Sequence, residues 1–201
     1  ITLNNLLPST IYDVYVRAVC GSSDGSSWMH ANFQTECGVV STFPYTQNFN
    51  NQGSGSSAYP MCWSRYQTGT TTTYPYISTT GGGSLYFYSY SATTVYGATD
   101  PMNLSNETPG MLALSFDVYK SSASYGRLDV GYMTDEANES TFHVLKSIYP
   151  GDLASTSTWY PFTVNIPASV YNLSEVYFAF KAPISSNSNY VYIDNVKVDY
   201  L

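Results

Sequence analysis

The sequence has little charge of either sign. Only 10% of its 201 residues are Asp, Glu, Lys or Arg, against about 25% in average soluble proteins. Seven basic residues stand against 14 acidic ones, which gives a net charge of −7. Nucleic-acid binding requires a basic patch, so this composition argues against a nucleic-acid partner. The acidic balance fits solubility or the binding of a cation.

Long hydrophobic runs are also missing. No stretch of about 18 apolar residues is present that could span a membrane, and the N-terminus lacks the charged and apolar segments of a signal peptide. Because the chain begins at Ile1 rather than at Met, we expect a fragment of a longer exported protein whose signal lies upstream.

Motifs of the common enzyme classes are absent. The sequence contains no Gly-x-Ser-x-Gly, no His-Glu-x-x-His, no Walker loop and no Rossmann fingerprint. It has only two histidines, His30 and His143, and no Cys-x-x-Cys pair, so a catalytic triad or a zinc site has few possible members. We therefore expect that this chain is not an enzyme, even if its parent protein contains a catalytic domain.

Tyrosine and alternating hydrophobicity are what the sequence has in abundance. Tyr occurs 21 times, and Tyr and Thr favour strands. Apolar residues alternate with polar ones in several segments: 12–19, 112–118, 128–132, 162–166 and 176–180. Such alternation is typical of antiparallel strands with one buried face. Together with Gly- and Pro-containing turns between the segments, it predicts an all-β sandwich or barrel.

The first segment carries a recognisable motif. Residues 7–12 read Leu-Pro-Ser-Thr-Ile-Tyr and lead into the alternating segment. This pattern resembles the start of a late strand in fibronectin type III domains. The resemblance implies that residues 1–37 are the C-terminal strands of such a domain, with Tyr12 folding back on the preceding turn as a tyrosine corner.

A second resemblance covers the rest of the chain. Cys37 is followed by Phe49-Asn50, then by Cys62-Trp63, and the last strand contains Ile193-Asp194-Asn195-Val196. The order and spacing of these motifs resemble MAM domains and the cleaved-adhesin modules of gingipain-type proteins. Asn50 and Asn195 depart from the family pattern, which has acids there, and Cys62 directly precedes Trp63. The resemblance implies a jelly-roll, concanavalin-like antiparallel β-sandwich at residues 38–201, located outside the cell or on a bacterial surface.

The same resemblance bears on the cysteines. The chain has three of them, so one lacks a partner within the chain. The resemblance implies a disulfide bond between Cys37 and Cys62, with the partner of Cys20 in the missing front of the first domain. The rival pairing joins Cys20 to Cys37.

Asp194 is the candidate metal ligand. Continuous alternation in the last strand places Asp194 on the core side with Val196 and Val198. A buried carboxylate needs a cation or several hydrogen-bond donors. Asp194 could equally bond to backbone amides or pair with Arg65 or Arg127.

Two amide side chains could complete a calcium site. Asn48 and Asn50 flank Phe49 and share one face if this segment is extended. Calcium binds six to eight oxygen ligands, and jelly-roll binding modules often hold a structural calcium near this part of the last strand. We therefore predict a structural Ca²⁺ bound by Asn48, Asn50, Asp194 and loop oxygens.

Aromatic and polar residues on the sheet faces are the candidate ligand site. Tyr86, Tyr88 and Tyr90 share one face of their segment, and Tyr combines an apolar ring with a hydroxyl suited to sugars. Further candidates on the solvent side of their strands are Asp117, Tyr119, Asp129, Asn165, Tyr177 and Lys181. An ordinary hydrophilic exterior is the alternative.

These observations favour an extracellular adhesion module that binds a glycan or a cell-surface protein, without catalysis. One alternative is a structural spacer within a larger secreted protein or protease. Another is a glycoside hydrolase on a jelly-roll fold, in which Asp117 and Asp129 would face one another as the two carboxylates.

Overall fold

The alternating segments form β-strands, and the described part of the chain contains four short 3-10 segments but no α-helix. The computed structural model describes residues 2–22, 24–68, 75–89, 94–121, 126–183 and 189–201. These residues include no helix with the length and hydropathy needed to cross a membrane. The chain divides into two compact units, Ile1–Gly38 and Val39–Leu201.

The first unit is a two-stranded antiparallel sheet of β1 (Ile11–Val16) and β2 (Met29–Gln34). The Tyr12 hydroxyl accepts a hydrogen bond from the Leu7 N–H at 2.8 Å, and the Tyr12 ring stacks on Phe33 with centroids 5.9 Å apart. The first contact is the one that a tyrosine corner predicts. The assignment of this unit to the fibronectin type III class stays a prediction.

The second unit is an antiparallel β-sandwich, as the sequence predicts. A five-stranded sheet has the strand order β10-β9-β12-β7-β4. A six-stranded sheet has the order β11-β8-β13-β6-β5, with β3 paired to β13. The strands are β3 (Tyr45–Gln47), β4 (Ser64–Thr68), β5 (Tyr76–Ser78), β6 (Ser84–Ser89), β7 (Thr94–Ala98), β8 (Leu112–Lys120), β9 (Leu128–Met133), β10 (His143–Ile148), β11 (Tyr160–Asn165), β12 (Tyr177–Ala182) and β13 (Asn189–Tyr200).

Trp63 organises the aromatic part of the core between the sheets. Its indole lies parallel to the Phe180 ring, with centroids 6.4 Å apart, and meets Phe49 edge-on at 5.1 Å. The indole N–H donates to the Tyr45 hydroxyl at 2.7 Å, and that hydroxyl donates to an Asp100 carboxylate oxygen at 2.6 Å. The large ring is therefore buried with its one polar group satisfied, which is the condition for a stable tryptophan in a core.

The disulfide bond connects Cys37 and Cys62, as the resemblance to cleaved-adhesin modules implies. Cys20 is a free, exposed thiol, so the rival pairing of Cys20 with Cys37 is wrong. Cys62 has a left-handed backbone conformation with φ of 66° and directly precedes Trp63. The covalent link therefore ends at the residue next to the central core side chain.

Replacing Cys62 by Ser should lower the free energy of unfolding by about 3 kcal/mol. In the unfolded chain, the disulfide bond closes the segment between Cys37 and Cys62 into a loop and so reduces its conformational entropy. Urea denaturation of the variant and of the reduced wild type would measure this. Cys20→Ser is the matched control and should leave the unfolding midpoint unchanged. Equal midpoints for Cys62→Ser and wild type would contradict a stabilising role of the bond.

Candidate functional site

A β-bulge in the last strand sets the layout of the six-stranded sheet. Before the bulge, Asp194 of β13 pairs with Asp117 of β8; after it, Lys197 pairs with Ser115. Two residues of β13 thus oppose one residue of β8. Asn195 lies in this bulge with a left-handed φ of 50°, a conformation that Asn tolerates better than most residues.

The bulge shifts the alternation of β13 by one residue. Ile193 on one side and Val196 on the other both belong to the core. Asp194 therefore lies with Tyr192 on the outer face of the sheet. The sequence-based expectation that Asp194 points toward the core with Val196 and Val198 is wrong, because alternation does not continue through a bulge.

Five aromatic side chains form a row across the outer face of the six-stranded sheet. Tyr192 of β13 pairs with Tyr119 on one side and with Tyr86 on the other, Tyr86 pairs with Tyr76, and Trp159 precedes the residue opposite Val118. Successive ring centroids from Trp159 to Tyr76 are 5.2, 5.3, 4.4 and 5.1 Å apart. We call these residues the aromatic row.

At the centre of the aromatic row, the rings of Tyr86 and Tyr192 face each other. Tyr86 and Tyr192 stack with an interplanar angle of 21° at a centroid distance of 4.4 Å, close to the strand spacing of about 4.8 Å. Their planes must therefore stand up from the sheet, and only 8% of Tyr86 is exposed. Burial and the neighbouring Tyr192 raise the pKa of Tyr86, which keeps its hydroxyl protonated. This central pair thus presents ring edges and phenol hydroxyls, whereas Tyr119 meets Tyr192 and Tyr76 meets Tyr86 edge to face, at interplanar angles of 75° and 85°.

A second pair of tyrosines lies beside the row. Tyr88 and Tyr190 face each other on β6 and β13 with centroids 5.3 Å apart, and Tyr88 lies 6.2 Å from Tyr86. Tyr90, which the sequence placed on this face, lies outside the described residues. Three members of the aromatic row, Tyr76, Trp159 and Tyr192, were not among the predicted site residues, although the Tyr-x-Tyr pattern at 190–192 repeats the one at 86–88.

Asp117 and Asp194 form a carboxylate pair next to the row. Asp194 is only 7% exposed, and its carboxylate accepts a hydrogen bond from the Asn195 backbone N–H at 2.6 Å. Burial, and secondarily the charge of Asp117, raises the pKa of the Asp194 carboxyl to about 6. The Asn195 side-chain amide donates to Asp117 at 2.9 Å, so the bulge places an amide and a carboxylate together at the surface.

A polar groove continues from this pair. A cavity of about 320 Å³ is lined by Thr46, Asn48, Asn195 and Lys197. A cavity of about 160 Å³ on the other side of Lys197 reaches Ser115, Asp117 and Thr163. Because Asn195 and Lys197 line both, the two cavities adjoin each other over β3, β13, β8 and β11, and we call them together the polar groove. The groove offers amide, hydroxyl, carboxylate and ammonium groups to a ligand.

The predicted ligand residues do not form one surface. Five of them lie on the outer face of the six-stranded sheet: Tyr86, Tyr88, Asp117, Tyr119 and Asn165. The other three lie on the outer face of the five-stranded sheet: Asp129, Tyr177 and Lys181. The expectation that Asp117 and Asp129 could face each other is wrong, because the two carboxylates lie on opposite outer faces of the sandwich.

Asp129 on the five-stranded sheet is used for internal contacts. It is 2% exposed and accepts hydrogen bonds from the Arg127 guanidinium at 3.0 Å and from the Ser147 hydroxyl at 2.6 Å. The Asp129 carboxylate thus forms a structural ion pair with Arg127, and its oxygens already accept hydrogen bonds. It has little remaining capacity to bind a ligand.

Lys181 and Tyr177 are also held by neighbours. The Lys181 ammonium lies 2.8 Å from a Glu139 carboxylate oxygen and 5.1 Å from the centroid of the Phe142 ring. The Tyr177 hydroxyl donates to the Glu175 carboxylate. Glu139 and Phe142 belong to the connection between β9 and β10, which therefore packs over this outer face and closes part of it.

The three residues of the predicted calcium site are only partly brought together. Phe49 has a left-handed φ of 55°, so Asn48 and Asn50 do not share a face as an extended segment would place them, and that expectation is wrong. The Asn48 side-chain oxygen accepts the Asn50 N–H at 3.1 Å. Asn48 borders the polar groove, whereas a Cβ on Gly82 would fall 3.3 Å from the Asn50 side-chain oxygen.

Asn50 and Asp194 instead both lie near the start of β6. Gly82 leads into Ser84, and Ser84 lies beside Asp194 because Ile193 pairs with the following Leu85. The buried Ser84 hydroxyl has no hydrogen-bond partner among the described residues. These residues also contain no group of three or more His, Cys, Asp or Glu side chains arranged for a metal. A cation here would depend on one carboxylate together with amide, hydroxyl and backbone oxygens, a donor set that suits calcium.

Comparison with known proteins establishes the fold. No model of a protein family matches the sequence, and none of the curated proteins matches it. The chain is similar to the K1 cleaved adhesin domain of Lys-gingipain from Porphyromonas gingivalis W83, with a TM-score of 0.59, 16% identity and coverage of 80% of this chain and 99% of that one. The resemblance to gingipain-type adhesin domains is thus confirmed at the level of the fold.

Other solved structures share this fold in different settings. A xylan-binding module has a TM-score of 0.53 and 13% identity, covering 79% of this chain and 97% of that one. An arabinose-bound α-L-arabinofuranosidase has a TM-score of 0.52 and 14% identity, and the match covers 78% of this chain but only 26% of that one. The fold alone therefore does not choose between binding and catalysis.

The raised pKa of Asp194 should make stability depend on pH in the absence of divalent cations. Because the folded-state pKa of about 6 exceeds the unfolded value, the folded chain holds more protons between about pH 4 and pH 6, and the free energy of unfolding should fall as pH rises through this range. Denaturant titrations in chelator at several pH values would measure this. Asp194→Asn should flatten the dependence; an unchanged slope would contradict the assignment to Asp194.

Proposed function

We propose that residues 39–201 form a non-catalytic, extracellular glycan-binding module whose ligand occupies the outer face of the six-stranded sheet. The observation that carries this proposal is the aromatic row, which lies directly beside a groove lined by amide, hydroxyl and carboxylate groups. Sugars offer both apolar ring faces and hydroxyls, and such mixed surfaces match them. The disulfide bond fits an oxidising, extracellular location.

The chemistry of this face supports recognition through hydrogen bonds more than through flat stacking. The phenol hydroxyls of the aromatic row can both donate and accept. The Asp117 carboxylate and the Asn195 amide are already paired at 2.9 Å, which holds an acceptor and a donor in fixed positions for a sugar diol. Fixed polar groups reduce the entropy lost when a ligand binds.

The opposite sheet supports the choice of face. Its candidate polar side chains are engaged in the contacts of Asp129, Lys181 and Tyr177 described above. The similarity to a solved xylan-binding module adds support for a glycan ligand. A cell-surface protein as ligand, and a spacer without any ligand, are the outcomes that the following experiment distinguishes from glycan binding.

Tyr119→Phe should weaken glycan binding about tenfold, because it removes a hydroxyl bond worth about 1.4 kcal/mol while it preserves ring packing. A glycan array would identify the ligand, and isothermal titration calorimetry would measure affinity. Tyr66→Phe is the matched control, because Tyr66 is 41% exposed on the five-stranded sheet. Loss of binding in Tyr66→Phe but not in Tyr119→Phe would contradict the proposed face, and a wild type that binds no glycan would contradict the function.

We propose further that a structural calcium ion is bound at the start of β6 by Asp194 and Asn50, with oxygen ligands from Ser84 and the adjacent turn. Two observations support this site: the Asp194 carboxylate is buried, and the buried Ser84 hydroxyl has no hydrogen-bond partner within the part of the chain that the structure describes. A bound cation would neutralise the charge that burial makes costly. Asn48 lies on the groove side and is not assigned to this set.

Saturating calcium should raise the melting temperature of the wild type by several degrees, because a ligand at about 100 times its Kd stabilises the folded state by about 2.7 kcal/mol. Differential scanning calorimetry with calcium and with chelator would show it. Asp194→Asn should abolish the shift. Asp199→Asn is the control, since Asp199 lies on the same strand and also accepts the N–H of the following residue. Equal melting temperatures in calcium and chelator for the wild type would contradict the site.

A further inference from the structure

We infer that the ligand of the outer face is an uncharged, linear polysaccharide whose chain crosses the strands along the aromatic row. The inference rests on the proposed glycan-binding function and specifies its ligand class. Two independent features of the face carry it: the regular spacing of the aromatic row and the distribution of charge around it.

The distance between neighbouring rings of the aromatic row matches the repeat of a polysaccharide. Its members come from five adjacent positions across the sheet, and consecutive ring centroids lie 4.4 to 5.3 Å apart. This repeat follows from the strand spacing of about 4.8 Å, and the advance of one sugar ring in an extended β-linked chain is close to it. Each additional sugar along the row therefore meets another tyrosine hydroxyl or ring edge.

The length of the row separates a polymer from a small sugar. A monosaccharide or disaccharide would contact only one or two members and leave the remainder of the row unused. A chain that runs from Trp159 to Tyr76 contacts all of them. The neighbouring pair Tyr88 and Tyr190 gives the surface a second set of hydroxyl-bearing rings on the side away from the carboxylate pair. The bound chain would therefore lie between polar groups on both of its edges.

The charge of the face excludes acidic polymers. Among the described residues of the six strands, the charged side chains on the outer face are Asp117, Asp194, Asp199 and Lys197. Acidic groups therefore outnumber the single ammonium. Uronic acids and sulfated sugars would meet the Asp117 carboxylate beside the row, and the Asp194 carboxylate as well when no cation is bound to it, and like charges at such short range are repulsive. Neutral sugars carry no such penalty.

Calorimetric titrations of the whole chain with β-linked oligomers of glucose, xylose and mannose, from dimer to hexamer, test the inference. Affinity should rise by at least about tenfold from dimer to pentamer and then level off for the neutral series that binds. Oligogalacturonides and heparin oligosaccharides serve as acidic probes, each with calcium and with chelator. Tyr76→Phe, at one end of the row, should shorten the oligomer at which affinity levels off, whereas Tyr66→Phe on the opposite sheet should not.

The outcomes separate the inference from the proposed function. Affinity that is already maximal with a disaccharide, or tighter binding of an acidic series in either buffer, overturns the inference while the glycan-binding function stands. An unchanged length dependence in Tyr76→Phe also overturns it. If no oligosaccharide of any series or length binds the wild type, both the inference and the proposed function fail.

Discussion

The pairing of β13 is the constraint on which the second unit depends. This strand is hydrogen-bonded to β3, β6 and β8, so its register fixes three neighbours at once. Because of the extra residue at the bulge, one strand places Val191 and Ile193 in the core ahead of Asn195. After Asn195 the same strand places Val196 and Val198 in the core. The aromatic row lies on one side of this point and the polar groove on the other. The division of the outer face into two chemical zones therefore follows from one local backbone irregularity.

Low charge shapes the rest of the molecule. With few Lys and Glu available, tyrosine covers much of the sheet surface and supplies the polar groups there. A tyrosine on a strand can bury its ring against a cross-strand neighbour and keep its hydroxyl accessible. The carboxylates that do occur near the sheets are held by specific donors, such as Arg127 and Ser147 at Asp129. The surface polarity of this domain is therefore mostly uncharged and fixed in place.

Much of the fold could be predicted from the sequence, because period-2 alternation and turn residues report directly on half-buried antiparallel strands. The disulfide was accessible through the resemblance of the motif order. The prediction for Asp194 was wrong because it assumed uninterrupted alternation in the last strand. Ile193 and Val196 are three residues apart and cannot both face the core in such a strand, so their spacing is the one sequence signal of the bulge. The predicted ligand residues were treated as one surface, although they lie on two sheets. The assignment of strands to sheets depends on long-range pairing, which the sequence does not show. No local pattern distinguishes the outer face of β8 from that of β9.

The contacts of Lys181 and Glu139, which close part of the outer face of the five-stranded sheet, make the sandwich one-sided. If the open face binds a polysaccharide as proposed, the module can hold that chain only from one direction. If several such modules follow one another in a polypeptide, their avidity for a single chain depends on whether the linkers let every open face turn toward the same polymer. Modules whose open faces point in different directions would bind different chains and crosslink them. The rotation of each module relative to the next would therefore decide whether a tandem array binds one polysaccharide chain or crosslinks several.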